Sequence, residues 1–146
     1  MGPYVNLGGY SLEEFVSKES VEIVSEIYKA LARRDLPAIL RLIDSKIIVS
    51  QTELLPWGGE YVGLEGIQQF FTKLYGIIDS QLAVEEFVDA GNKVIVIGSS
   101  RGHVKATGTS FNLRAVHVWT VTGNRAVRFE PNIDTPKMLE LLGQER

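Results

Sequence analysis

The feature that most constrains the fold is a change of hydrophobic period part-way along the chain. Up to residue 78 the apolar residues recur at helical spacing. Val24, Ile27, Tyr28 and Leu31 fall at i, i+3, i+4 and i+7, and so do Leu36, Ile39, Leu40 and Ile43. Ile67, Phe70, Phe71, Leu74, Tyr75 and Ile78 carry the same pattern through three turns. From residue 80 the period becomes two: Leu82, Val84 and Val88 alternate with Gln81, Glu85 and Asp89. Helices first and antiparallel strands afterwards imply an α+β domain.

Local signals divide the chain further. Residues 1–19 read as an N-terminal extension, irregular through its glycine-rich start. A short helix at about 12–17 is opened by the capping-box spacing of Ser11-Leu12-Glu13-Glu14. The domain proper spans 20–146. Its first helix runs from Ser20 to Arg34, and Asp35 caps a shorter one with Pro37 in the first turn. Lys46–Glu53 reads as a strand because Ile47, Ile48 and Val49 are β-branched. Pro56-Trp57-Gly58-Gly59-Glu60-Tyr61-Val62-Gly63 reads as a turn carrying two aromatics into the third helix. Val94–Ile97 is apolar on both faces, so both faces of that strand are covered. Turns at Ala90-Gly91-Asn92, Thr107-Gly108-Thr109 and Thr122-Gly123-Asn124 join long strands, among them Phe111–Val121 and Arg125–Asn132, into a meander. Thr135-Pro136 opens a last short helix that Gly143 closes.

Composition removes several function classes. The 146 residues include no cysteine, so disulfides, thiolate metal sites and cysteine nucleophiles are excluded. The net charge is −3 with both signs scattered and no basic cluster, which argues against a nucleic-acid partner. Residues 1–10 lack the pattern of a signal peptide, and no apolar run approaches the ~20 residues of a membrane span. A cytoplasmic location without membrane contact is therefore expected. The two histidines have no carboxylate spacing that would gather ligands, so no metal site is expected.

Four motifs in this order carry a family resemblance: Ile27-Tyr28-Lys29-Ala30-Leu31 leading to Asp35, Trp57–Gly63, Ala115-Val116-His117-Val118-Trp119, and Arg128-Phe129-Glu130 leading to Asp134-Thr135. Over residues 20–142 the chain resembles the SnoaL-like branch of the ketosteroid isomerase and nuclear-transport-factor-2-like superfamily. The resemblance implies a cone-shaped fold, in which N-terminal helices pack inside a strongly curved, mostly antiparallel sheet and leave an internal apolar pocket. It also implies a homodimer through the outer sheet face, and an apolar small molecule as ligand. The family holds isomerases, cyclases, dehydratases and epoxide hydrolases beside members that only bind, so fold alone does not decide function.

Ketosteroid isomerase chemistry itself is not expected. It needs a carboxylate base and an acid–tyrosine pair. The base position falls between Gln51 and Leu54, with Glu53 the nearby carboxylate, while the acid and tyrosine positions fall near Val116 and Ile27. His117 is the leading candidate for chemistry. It lies mid-strand, titrates near neutrality, and takes the general-base role that the SnoaL-like resemblance implies; a structural histidine in the core or at a dimer interface is the alternative. By alternation it shares a face with Leu113, Ala115 and Trp119. Glu53 or Asp134 would be its partner, although Asp134 before Thr135-Pro136 has the commoner job of a helix cap. Trp57, Tyr61, Phe71 and Trp119 are expected at the pocket. Arg114 would bind an anionic group there, or else pair with Glu85 or Glu86. The expected chemistry is acid–base, without a cofactor, by an isomerase, cyclase or lyase.

Overall fold

A computed structural model describes residues 12–143, with side chains from residue 19 onward. These residues form α1 (Leu12–Ala32), α2 (Leu36–Leu42), β1 (Ile43–Gln51), β2 (Gly59–Val62), α3 (Gly63–Ile77), β3 (Ile78–Ala90), β4 (Lys93–Val104), β5 (Ser110–Thr122), β6 (Arg125–Ile133) and α4 (Thr135–Leu141). The six strands make one sheet in the order β2-β1-β6-β5-β4-β3. Every pair is antiparallel except β1 with β6, so the sheet is mixed and mostly antiparallel. The α+β class and the cone expected from the motifs are what is observed.

Several boundaries differ from the expectation, each for a local reason. The short helix at 12–17 and the first long helix are one element, because Ser17-Lys18-Glu19-Ser20 contains neither glycine nor proline to break it. The irregular start and Ser11 lie outside the described residues. α1 stops at Ala32, and just beyond it Arg34, with a φ of 55°, turns the chain left-handed. The Asp35 amide bonds the Ala30 carbonyl and the Arg34 amide bonds that of Leu31, a Schellman-type end. Asp35 then caps α2 by accepting from the Ala38 amide at 3.1 Å. Ile43 and Ile78 complete helical stripes in the sequence, yet both begin strands. Each is extended, fully buried and β-branched, so helix passes into strand with no loop between them.

The Trp57–Gly63 stretch holds more structure than a turn. Its second half is β2, paired with the end of β1 from Ile48↔Val62 to Gln51↔Gly59. Gly58 is demanded by close approach: a Cβ there would sit 1.8 Å from the Thr52 carbonyl oxygen.

The core lies between the concave sheet face and the helices. Phe111, Leu113, Ala115, Trp119 and Val121 of β5 are buried while Asn112, Arg114 and Val116 are exposed. The parity left open by the sequence is thereby resolved: His117 is on the inner face. Trp119 stacks on Phe129 with centroids 4.0 Å apart, and Phe70 of α3 meets Phe129 edge-on.

Candidate functional site

A cavity of about 90 Å3 opens between α1, α3 and the sheet. α3 supplies Phe70, Phe71, Leu74 and Tyr75 because its helical stripe faces inward. α1 supplies Tyr28, Leu31 and Ala32, and Trp57 closes one end from the loop. The sheet contributes Gln51, Ala115, His117, Phe129, Pro131 and Ile133. Among the described residues no Asp, Glu, Lys or Arg lines it. It is therefore an apolar space with a few neutral polar groups.

The polar centre is a three-residue chain. Tyr28 Oη lies 2.6 Å from His117 Nδ1 and accepts from Trp119 Nε1 at 2.9 Å. An indole nitrogen can only donate, so the Tyr28 hydroxyl hydrogen is free to point at His117. No other acceptor among the described residues takes it. Nδ1 is then an acceptor, and the neutral ring carries its hydrogen on Nε2. Burial pushes the His117 pKa down to about 4, which keeps the ring neutral. Burial pushes the Tyr28 phenol well above its usual range, with the Trp119 hydrogen bond opposing in part, so the phenol stays protonated. The Tyr28 ring stacks on the imidazole, and Phe129 meets the imidazole edge-on.

Just past the C-terminal end of α1, Arg34 and Gln81 tie the helix to β3 beside the cavity. The Arg34 guanidinium lies 3.7 Å above the Tyr75 ring, bonds Asp79 at 2.9 Å and donates to the Ser80 carbonyl. Gln81 donates to the Ala32 carbonyl.

Of the residues singled out in the sequence, His117, Trp57 and Phe71 line this cavity. The other five do not. Glu53 is exposed on the loop after β1, in a shallow hollow on the opposite side with Glu60 and Lys93, because the loop turns away from the cone. Asp134 caps α4, its carboxylate accepting from the Lys137 amide at 3.3 Å. Tyr61 is buried, but its hydroxyl is spent on the Trp57 and Gly58 carbonyls and its ring packs on Phe70. Trp119 is wholly buried one row below the cavity floor, acting on it through Tyr28. Arg114 is exposed on the outer face, where it pairs with Glu85.

One cavity residue escaped the sequence, and a second was named there only as one bound of the base position. Tyr28 was placed in the stripe of α1 as an apolar position; a hydroxyl-bearing ring there, opposite a strand with His117 and Trp119 on one face, was the available signal. Gln51 follows Ile47 and Val49 at strict alternation, so a polar residue on a buried face was visible from period two alone. No three His, Asp or Glu side chains gather into a metal-binding group among the described residues.

The SnoaL-like domain model matches residues 24–129, from mid-α1 to the middle of β6. The chain belongs to the SnoaL-like domain family. Among solved structures, a nuclear-transport-factor-2-like protein of unknown function from Burkholderia pseudomallei is 31% identical, with a TM-score of 0.79 over 84% of this chain and 96% of that one. TerC, co-crystallised with polyporic acid, is 27% identical, with a TM-score of 0.79 over 86% and 98%. A nuclear-transport-factor-2-like protein from Burkholderia thailandensis is 31% identical, with a TM-score of 0.75 over 86% and 95%. No curated protein matches the chain. The family match spans Tyr28, Gln51, Trp57, Phe71, His117 and Trp119, so all of the cavity lining except Pro131 and Ile133 falls within the matched residues. No described helix of this SnoaL-like protein is long and apolar enough to cross a membrane.

Proposed function

We propose that this SnoaL-like protein is a small-molecule enzyme of the isomerase, cyclase or lyase kind, working without a cofactor on an apolar, oxygenated substrate. One observation carries the reading: the 2.6 Å contact of Tyr28 with His117 inside an uncharged cavity. With Nδ1 occupied, the neutral imidazole offers Nε2–H to the ligand. A donor fixed in apolar surroundings stabilises an oxyanion that develops on a carbonyl, and does so without reorganisation. His117 thus acts as a hydrogen-bond donor more readily than as the general base that the family resemblance implied. Substrates with a C–H bond already acidified by carbonyl groups suit this site: a water molecule entering with the ligand takes the proton and returns one to the carbon, while Nε2–H holds the enolate oxygen.

The test is α-proton exchange of 2-indanone in D2O, followed by NMR. Wild type is expected to accelerate exchange, and His117→Phe to lose the acceleration while keeping its fold. Equal exchange by the two proteins refutes the enzymatic role. A second reading, a binding domain without turnover, draws on the lack of a carboxylate in the cavity lining. It predicts a retained ligand in native mass spectrometry together with no exchange. We also propose a homodimer across the outer sheet face, where Val116 is 37% exposed beside the Arg114–Glu85 pair. Native mass spectrometry showing one chain per particle would contradict it.

A further inference from the structure

Gln51 ends β1, and its Oε1 is buried without a hydrogen-bond partner. A buried acceptor left empty costs free energy, and on a residue that lines a cavity a turn of the side chain offers that acceptor to a ligand group. The sheet register shows what Gln51 faces. Val49 lies opposite Phe129, and Phe129 opposite Trp119; Val49 and Trp119 of that row are fully buried core, while Phe129 reaches the cavity. Two residues further along, Pro131 lies opposite His117, and Gln51 follows Val49 by the same two residues. Gln51, Pro131 and His117 all line the cavity. With strands about 4.8 Å apart, Gln51 and His117 stand roughly 10 Å from each other, backbone to backbone, across the flat proline ring. That span leaves room for one compact ligand between the two polar ends.

We propose that Gln51 is the specificity-determining residue of this cavity: its Oε1 receives a hydroxyl or N–H hydrogen from an uncharged ligand whose apolar body rests on Phe70, Phe71 and Leu74. This deepens the reading of the cavity as a ligand site and rests on it. An amide accepts a hydrogen bond without bringing a charge. No Asp, Glu, Lys or Arg among the described residues lines the cavity, so a carboxylate or ammonium group on the ligand would be buried without a counter-ion. The cavity therefore selects for a neutral donor.

Four isosteric probes test this on the full chain: benzyl alcohol, ethylbenzene, benzoate and benzylamine, titrated by amide NMR. Benzyl alcohol is expected to bind wild type at least tenfold more tightly than benzoate or benzylamine. In Gln51→Leu the ratio of benzyl alcohol affinity to ethylbenzene affinity is expected to fall about tenfold, the weight of one neutral hydrogen bond. Gln51→Met should reproduce the fall, which guards against a packing effect, and Gln51→Glu should raise benzylamine affinity. An unchanged alcohol-to-ethylbenzene ratio in both apolar variants overturns the role of Gln51 while leaving the cavity as a ligand site. Benzoate binding as tightly as benzyl alcohol overturns the selection for neutral ligands. If no probe shifts a cavity resonance up to its solubility, the cavity is not a ligand site, and this inference falls with the proposed function.

Discussion

Replacing Tyr28 with Phe removes one oxygen atom and tests the whole polar centre. Trp119 is fully buried, and its Nε1–H has Tyr28 Oη as its acceptor at 2.9 Å. In Tyr28→Phe that donor is stranded, which costs about 1–3 kcal/mol. His117 Nδ1 also loses its donor, but the imidazole is open to the cavity and water can replace the hydroxyl there, so this adds little. The expected loss is about 2 kcal/mol at pH 7. For a chain of this length that lowers Tm by roughly 4–8 °C. Urea denaturation followed by fluorescence of Trp57 and Trp119 measures it. The same substitution should leave the His117 pKa well below its ordinary value, because burial rather than the Tyr28 hydroxyl lowers it. Histidine NMR titration checks that value. A loss below about 0.5 kcal/mol would refute the Trp119–Tyr28–His117 chain, because no buried donor would then have been stranded.

Unfolded His117 takes up a proton near 6.5 and folded His117 only near 4, so its contribution is intact above about pH 6.5 and is lost as pH falls toward 4. Relative to His117→Phe, wild type should lose about 3 kcal/mol between pH 7 and pH 4, measured by urea melts at each pH; parallel curves would show that the ring titrates normally. Phe70→Ala empties the centre of the core and should cost about 3–5 kcal/mol in the same assay. Asp134→Ala should cost only about 1 kcal/mol, as the loss of a helix cap, and leave α-proton exchange intact; abolished exchange would return Asp134 to the chemistry. Arg114→Ala should change stability by less than about 1 kcal/mol, since both partners of its ion pair are largely exposed.

Much of this molecule was legible in one dimension. The change of period from 3.6 to two separated helices from sheet, and the turn residues marked the meander, because side-chain periodicity and turn chemistry are local properties of the backbone. Alternation alone put His117 and Trp119 on one face and made Gln51 follow Val49. What alternation could not say is which face is inside. That depends on how β5 is held between β4 and β6, and a slip of one residue would exchange the two sets. Nor could it separate Glu53 and Asp134 from the cavity, since a loop turning outward and a helix cap are settled by backbone bonds made elsewhere. Tyr28 and His117 are 89 residues apart in the chain and 2.6 Å apart in space. Their contact, and with it the tautomer that makes His117 a donor, exists only because α1 is packed inside the curve of the sheet. The residue types came from the sequence; the chemistry they can do was decided by tertiary packing, which chose their neighbours and removed the water.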